Sequence, residues 1–354
     1  MRIIKLNLNQ AEIVREVTEC LKNDGLVIYP TETVYGIGAS AVSAKAIDKL
    51  LQYKGRREGK PLSIAVTNQQ MAEKYVEINE QALKFYKNFL PGPFTVVSKS
   101  KNIVDPRVNS EFGTLGIRIP DYPLIVEIVK NFGSAITSTS ANASGKKRPY
   151  KIQDVFDNLS EKQKSLIDLV IDAGELPKNE PSVVVDTTLS TPIALRGSLN
   201  KDAGEILWSD SPNETIELAG RLMLNHLNQL QENGLVFALN GELGMGKTIF
   251  AKGIAKFLGI NEVISSPTYS YINEYEYQRL QTQGTFYHID AWKIDSKEEL
   301  NFLEINKLIQ KNNIVVVEWF DQIKQWLKID EKIKIVTLNF EEENKKRKIL
   351  ISEN

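Results

Sequence analysis

Residues 241–248 read Gly-Glu-Leu-Gly-Met-Gly-Lys-Thr, the pattern of a phosphate-binding P-loop. Glycines let such a loop curl around phosphates with its N–H groups pointing inward, while the lysine reaches the β- and γ-phosphates and the threonine hydroxyl holds Mg²⁺. The apolar run 235–239 and the helical pattern 248–257 predict a buried strand before the loop and a helix after it. We therefore predict a site for ATP and Mg²⁺, with contacts from Gly241, Glu242, Gly244, Gly246, Lys247 and Thr248.

The position of this P-loop indicates two domains, because such a loop usually opens its domain and here 240 residues precede it. A chain of 354 residues also exceeds one ordinary domain. Loop-forming residues cluster between Leu199 and Asn213, and helical spacing begins again at Thr215. We predict a first domain of residues 1–207 and a second of residues 208–354.

The composition narrows the functional classes. A net charge of −1 carries no overall nucleic-acid signature, and a single cysteine excludes an internal disulfide framework. The apolar runs are no longer than strands, and residues 1–5 lack the architecture of a signal peptide. We expect a cytoplasmic protein that does not associate with a membrane.

Both domains are predicted to be α/β. Several strand patterns of the first domain follow one another without a helix between them, which predicts a twisted mixed sheet with helices. The second domain is predicted to have a P-loop NTPase-like α/β fold. In the first domain, helical patterns cover residues 10–23, 44–53, 72–89 and 124–132, and strand patterns cover residues 26–29, 62–67, 95–97, 115–119, 135–137 and 182–186.

Three polar clusters of the first domain are candidates for ligand binding. Thr31 and Thr33 follow a predicted strand, where hydroxyls commonly hold small polar ligands; capping of a helix N-terminus is an equally good local interpretation. Lys54, Arg56 and Lys60 lie in a basic loop that suits a triphosphate, although composition alone favours a solvated loop.

The third cluster, Ser138, Ser140 and Asn142, follows another strand and suits phosphate and adenine groups better than a plain Ser-rich loop would. Arg118 lies in an otherwise apolar strand, so its charge needs a partner: an internal carboxylate or that of a substrate. Arg196 repeats the pattern of an arginine at a strand end.

Taken together and in this order, these motifs resemble the YrdC-type threonylcarbamoyl-AMP synthases (TsaC) over nearly all of residues 1–207. The resemblance implies that the domain joins L-threonine, bicarbonate and ATP into threonylcarbamoyl-AMP and pyrophosphate, the first step towards threonylcarbamoyladenosine in tRNA. It also implies residue roles. Threonine would be bound by Thr31, Thr33, Tyr35, Arg118 and Ser182, and ATP by Lys54, Arg56, Lys60, Ser138, Ser140, Asn142 and Arg196. A double-stranded RNA-binding module is the alternative, but such a module has no need of hydroxyl clusters at strand ends.

In the second domain, two predicted strands end in carboxylates, Asp290 and Glu318, and Thr268 lies in a loop that suits a γ-phosphate switch. Either carboxylate suits Mg²⁺ or the attacking water, and the sequence does not divide these roles. A small-molecule kinase normally needs several cations over its phosphates, yet beyond the P-loop only Arg279 and Arg347 are arginines. An ATPase that a partner completes fits better.

The P-loop, Ser266-Pro267-Thr268, His288-x-Asp290 and Glu318-Trp319 resemble the TsaE family over residues 208–354. The resemblance implies an ATPase that acts with TsaD and TsaB in the second step of the same tRNA modification. Thr268, Asp290, Glu318 and Trp319 would form its catalytic and switch residues, with Thr248, Glu318 and Asp290 at Mg²⁺. The sequence thus predicts a bifunctional fusion that contacts tRNA directly or through its partners. The alternative is a nucleotide-switched RNA-binding or assembly protein without synthase activity.

Overall fold

A computed structural model describes residues 1–6, 9–55, 61–142, 147–190, 192–196, 205–268, 270–279 and 282–354. Contacts within the chain divide it into two compact units, Met1–Thr188 and Leu189–Asn354. The predicted domain boundary after residue 207 stays a prediction. Among the described residues, no helix has both the length and the apolar character that crossing a bilayer would require.

The first unit alternates strands and helices, as expected from its sequence. In chain order its elements are β1 (Arg2–Lys5), α1 (Gln10–Lys22), β2 (Val27–Tyr29), β3 (Gly36–Gly38), α2 (Ala44–Lys54), β4 (Ser63–Ala65), α3 (Gln69–Ala72), β5 (Val76–Glu77), α4 (Glu80–Phe89), β6 (Phe94–Ser100), β7 (Thr114–Arg118), α5 (Pro123–Phe132), β8 (Ile136–Ser140), α6 (Ile152–Phe156), α7 (Glu161–Ser165), β9 (Leu169–Asp172) and β10 (Val183–Asp186).

The strands of this unit form a mixed sheet in the order β1-β9-β2-β3-β8-β4-β7-β6-β10, which confirms the predicted architecture. The pairs β2–β3, β3–β8, β4–β8 and β6–β7 are antiparallel, whereas β2–β9, β4–β7 and β6–β10 are parallel. Both faces of the sheet are covered. Ile28 of β2 packs in the cluster that contains α2, and its neighbours Val27 and Tyr29 pack in the cluster with α1 and α5.

The prediction of one helical stretch over residues 72–89 is wrong. The segment is divided into α3, β5 and α4, because an asparagine begins each helix anew. The side chain of Asn68 accepts from Met71 N at 2.8 Å, and that of Asn79 accepts from Ala82 N at 2.8 Å. Between them, Val76 is fully buried where β5 pairs with β6.

The second unit is built around a sheet in the order β12-β18-β17-β13-β16-β15-β14. Its central strand β13 is parallel to both neighbours and is almost fully buried, as its apolar sequence predicts. In chain order the elements are β11 (Ile193–Arg196), β12 (Glu205–Ser209), α8 (Pro212–Asn233), β13 (Leu235–Asn240), α9 (Lys247–Leu258), β14 (Ile272–Arg279), β15 (Thr282–Asp290), α10 (Lys297–Phe302), α11 (Ile305–Leu308), β16 (Ile314–Glu318), α12 (Phe320–Ile323), β17 (Lys334–Glu343) and β18 (Lys346–Glu353).

A carboxylate near the end of β18 ties this strand to α8 and β17. Glu353 Oε1 lies 3.2 Å from His226 Nε2, and Glu353 Oε2 lies 2.8 Å from Lys334 Nζ. The hydrogen bond from His226, with the Lys334 ammonium, lowers the pKa of Glu353 to about 2. Since the folded pKa lies below the ordinary value of 4.5, the carboxylate stabilises the fold above that pH, and the contribution is lost as the pH falls towards 2.

We expect Glu353→Gln to lower the free energy of unfolding at pH 7 by about 1 kcal/mol, a small value because the pair is partly exposed. The difference should shrink between pH 4.5 and pH 2. Urea unfolding followed by tryptophan fluorescence measures this, since all four tryptophans (Trp208, Trp292, Trp319 and Trp326) lie in the second unit. A difference that is the same at pH 7 and at pH 2 would contradict the assignment.

Candidate functional site

Several candidate residues of the first unit lie on, or in loops directly after, neighbouring strands of its sheet. The register pairs Gly36 of β3 with Ser140 of β8, and Ser63 of β4 with Ser138 of β8. Arg118, the last residue of β7, pairs with Ala65 at the other end of β4. The threonine loop after β2 and the serine loop after β8 therefore lie at the same end of the sheet, whereas the backbone of Arg118 lies level with the other end of β8.

The Thr31–Thr33 loop is held by the hydroxyl of Thr31. This hydroxyl donates to Val34 O at 2.7 Å and accepts from the N–H groups of Thr33 at 3.1 Å and Val34 at 3.2 Å. The two threonine hydroxyls lie 3.0 Å apart and both residues are buried. The chain continues into strand β3, so capping of a helix, the other local interpretation, is wrong.

Arg118 joins this loop. Its Nη2 donates to Glu32 Oε1 at 2.8 Å and to Thr33 Oγ1 at 2.9 Å, so the internal carboxylate partner is present. Arg118 is only 8% exposed. Its Nε and the second oxygen of Glu32 are nevertheless buried without a hydrogen-bond partner among the described residues. Buried groups of this kind are rare in folded proteins, and a polar ligand would satisfy them.

Lys54, at the end of α2, reaches the serine loop. Its Nζ donates to Ser140 O at 2.9 Å and to Asn142 O at 2.8 Å, and the Ser140 hydroxyl lies 2.5 Å from Asn142 Oδ1. Burial lowers the pKa of Lys54 to about 8. Three of the predicted ATP contacts are therefore adjacent, whereas Arg56 and Lys60 lie outside the described residues.

Four further candidates occupy different surroundings. Tyr35 is fully buried; its hydroxyl donates to Gly174 O and accepts from Ala173 N, both at 2.8 Å, and burial raises its pKa to about 12. Ser138 is buried within β8, and Ser182 is buried immediately before β10. Arg196 is exposed at the end of β11. The ligand contacts of these four residues stay predictions.

In the second unit, residues 241–248 connect β13 to α9 as predicted. Gly241, Gly244 and Gly246 take φ values of 131°, 84° and 103°, which favour glycine. Lys247 Nζ donates to Gly241 O at 2.6 Å and to Glu242 O at 2.9 Å, and it lies 4.0 Å from the centre of a Trp319 ring. Burial lowers the pKa of Lys247, against the opposing effect of the nearby carboxylates.

The two candidate carboxylates lie side by side, because the register of β15 and β16 pairs Asp290 with Glu318. Glu318 Oε1 accepts from the Thr248 hydroxyl at 2.8 Å and lies 2.8 Å from Nε2 of His288. Glu318 and His288 are both buried, so His288 is a packed and partnered residue of the core.

Asp290 contacts the predicted switch loop. Its Oδ2 accepts from the hydroxyls of Thr268 at 2.8 Å and Ser266 at 3.2 Å, and its Oδ1 accepts from Trp292 N at 3.0 Å. The hydroxyl of Thr248 with these two carboxylates is a donor set that suits Mg²⁺. In the described part of the chain there is no cluster of three or more His, Cys, Asp and Glu that could hold a metal, so phosphate oxygens would have to complete this set.

Two contacts of these sites were not predicted. Glu32 lies between Thr31 and Thr33, and its pairing with Arg118 links positions 86 residues apart. Arg347 packs against the P-loop: a Cβ built on Gly246 would lie 2.6 Å from Arg347 Nε. Lys346, Arg347 and Lys348 are consecutive in sequence. In a strand, side chains alternate between the two faces, so Arg347 is expected on the face opposite the two lysines.

The fold and the candidate sites define a chain with two α/β units of different design, the second of which carries a P-loop sequence. Residues 19–198 match the model of the Sua5, YciO and YrdC family, described as telomere recombination, and residues 209–349 match that of TsaE, a threonylcarbamoyl adenosine biosynthesis protein. The chain belongs to the Sua5/YciO/YrdC family and is a fusion of a YrdC-type synthase domain with a TsaE-type domain.

Relatives match the first part of the chain. A protein of Methanocaldococcus jannaschii is 37% identical over 188 residues, which are 52% of this chain and 86% of that protein. The threonylcarbamoyl-AMP synthase of Bacillus subtilis is 31% identical over 201 residues, and this chain spans only 57% of its length. A crystal structure of Pyrococcus abyssi Sua5 with L-threonine has a TM-score of 0.52 at 20% identity, covering 90% of this chain and 92% of that one. This last likeness concerns the fold alone.

Proposed function

We propose that the chain is a bifunctional tRNA-modification protein. Its first unit condenses L-threonine, bicarbonate and ATP to threonylcarbamoyl-AMP and pyrophosphate. Its second unit hydrolyses ATP to support transfer of the threonylcarbamoyl group to a tRNA adenosine by TsaD and TsaB. The observation that carries the synthase proposal is the contact of Arg118 with the buried Thr31–Thr33 loop, together with Lys54 held at the serine loop, in a family whose relatives are named for this reaction.

In the first unit, the proposed chemistry begins with the amino group of threonine and bicarbonate, which together give a carbamate and release water. Arg118 would hold the carboxylate of threonine, because Arg118 Nε is a buried donor without a partner among the described residues. Thr31 and Thr33 would hold the hydroxyl of threonine. A carbamate oxygen then attacks the α-phosphate of ATP, and the bond to the pyrophosphate breaks.

This step needs charge neutralisation and positioning more than a proton-transfer residue. Both histidines of the chain, His226 and His288, lie in the second unit. The proposed reaction therefore relies on cations of the first unit. Lys54 supplies a positive charge beside the serine loop, where it would neutralise the phosphates of ATP.

In the second unit, the P-loop N–H groups and Lys247 would bind the β- and γ-phosphates. Thr248, Glu318 and Asp290 would hold Mg²⁺, which when bound neutralises charge on the phosphate oxygens. Thr268 joins Asp290 to the switch loop at 2.8 Å, so a change at the γ-phosphate would be transmitted to that loop.

The synthase proposal is tested by incubating the protein with ATP, threonine and bicarbonate and measuring pyrophosphate. We expect release that depends on both threonine and bicarbonate, and that stops when either is omitted. Product analysis should show threonylcarbamoyl-AMP in equal amount. ATP hydrolysis without threonine-dependent pyrophosphate release, in a folded protein, would favour a nucleotide-switched assembly protein without synthase activity.

A further inference from the structure

The hairpin between β17 and β18 lies at the P-loop edge of the second sheet. Strand β17 is parallel to β13, and the register pairs Asn240, the residue before the P-loop, with Asn339. The chain then turns back after Glu343, and β18 begins at Lys346. The strands that end in Asp290 and Glu318 lie on the other side of β13. The P-loop therefore has the two carboxylates on one side and this hairpin on the other.

Arg347 is the residue of this hairpin that meets the P-loop. A Cβ built on Gly246 would lie 2.6 Å from Arg347 Nε, 3.0 Å from its Cδ and 3.1 Å from its Cζ. The guanidinium donates through Nη1 to the buried hydroxyl of Thr215 at 3.1 Å. Among the described residues, no carboxylate forms an ion pair with Arg347.

The two lysines beside Arg347 behave differently. Lys346 Nζ pairs with Asp210 at 3.1 Å, and Lys348 Nζ pairs with Glu341 at 3.2 Å and Glu343 at 3.5 Å. Successive side chains of a strand point to opposite faces, so these lysines are neutralised on one face while Arg347 meets the loop on the other. A cation that lies on a phosphate-binding loop without a carboxylate partner is suited to an anion.

The position of Arg347 determines which part of the nucleotide its guanidinium would contact. The γ-phosphate would lie near Thr248 and the carboxylates, because these are the groups that would hold Mg²⁺ and so neutralise charge on the phosphates. The α-phosphate and the nucleoside would then extend towards the other side of the loop, where Arg347 lies against Gly246. We propose that Arg347 binds the α-phosphate of the nucleotide, as a contact in cis that supplements Lys247. This inference rests on the proposed nucleotide binding by the second unit.

The test compares the binding of ADP with that of orthophosphate, a ligand of the P-loop that has no α-phosphate. Tryptophan fluorescence of the full chain reports the second unit, because all four tryptophans lie there and Trp319 contacts Lys247. Affinities for ADP and for orthophosphate are measured with Arg347→Gln, Arg347→Lys and Lys348→Gln. Lys348→Gln is the matched control, since it removes one charge from the opposite face of the same strand.

We expect Arg347→Gln to weaken ADP binding by about tenfold or more, as loss of a charge-assisted hydrogen bond predicts. Orthophosphate binding should change by less than about twofold, and Lys348→Gln should alter neither affinity. Arg347→Lys should fall between Arg347→Gln and the unaltered chain, and it carries the test if Arg347→Gln does not fold.

Equal weakening of ADP and orthophosphate would overturn the proposal, because it would mean that Arg347 only maintains the shape of the loop. Unchanged ADP binding in Arg347→Gln would overturn it as well. If the unaltered chain gives no ADP signal that Lys247→Ala abolishes, nucleotide binding by the second unit fails and this inference fails with it. A signal that depends on Lys247 but not on Arg347 leaves the proposed ATPase standing.

Discussion

The Lys54→Ala variant is expected to lose threonine-dependent pyrophosphate release by about a hundredfold or more, while ATP hydrolysis by the second unit remains unchanged. Lys54 places its ammonium on the carbonyls of Ser140 and Asn142, beside the predicted nucleotide contacts. Burial disfavours that charge and lowers the pKa of Lys54 to about 8. A triphosphate would favour the charged form, so removal of the side chain takes away an interaction that strengthens as ATP binds.

The reciprocal variant makes this test specific. Lys247→Ala should abolish ATP hydrolysis and spare pyrophosphate release, because the two lysines belong to separate units. Lys45→Ala is the control for Lys54, since Lys45 lies on the same helix but its side chain is 82% exposed and pairs only loosely with Asp24. Assays use the full chain, with pyrophosphate and orthophosphate measured separately. Loss of both activities in either variant would contradict independent sites and would indicate coupling between them.

Contiguous motifs were the part of this protein that the sequence predicted well. The P-loop, the strand before it and the helix after it occupy one stretch of chain, so local spacing alone specifies them. The strand before Thr31 was found for the same reason. The mixed sheet followed from strand patterns that succeed one another without a helix. These features depend on interactions between residues that are close in sequence.

Contacts between distant residues were not predictable. The partner of Arg118 was left as either an internal carboxylate or a substrate, and Glu32 is 86 positions away. Strand β9 lies between β1 and β2 in the sheet, although most of the unit separates β9 from both of these strands along the chain. Within the helical pattern 72–89, burial of Val76 in a sheet overrode the local spacing. In each case the pairing of strands, which local spacing does not encode, decided the outcome.

The P-loop site also contains bonds that a nucleotide must exchange. Lys247 is bonded to carbonyls of its own loop, and Thr248 donates to Glu318. Phosphate oxygens would replace the first set, and Mg²⁺ would replace the second. Since each exchange trades one polar contact for another, binding gains less than the new contacts alone suggest. The net gain in binding free energy then depends on polar groups of the site that lack a hydrogen-bond partner until the nucleotide binds.

The final prediction separates the two carboxylates of the second unit. Glu318 accepts from Thr248, the P-loop hydroxyl that suits Mg²⁺, whereas Asp290 accepts from Thr268 of the switch loop. We therefore expect Glu318→Gln to remove the increase in nucleotide affinity that Mg²⁺ produces. Asp290→Asn should reduce this increase much less than Glu318→Gln does, and it should slow hydrolysis by about a hundredfold, because it alters the group joined to the switch. Both substitutions keep the size of the side chain.

Nucleotide affinity with and without Mg²⁺ is measured by tryptophan fluorescence, and hydrolysis by release of orthophosphate in the Lys54→Ala background, which removes turnover by the proposed synthase. Asp321→Asn is the matched control, because that carboxylate is 58% exposed and pairs with Lys324 on the helix after Glu318. It should change neither quantity. If Asp290→Asn loses the Mg²⁺ effect and Glu318→Gln keeps it, the roles are reversed: the hydroxyl of Thr248 would then donate to the carboxylate that serves turnover, and Asp290 would be the group that holds the metal.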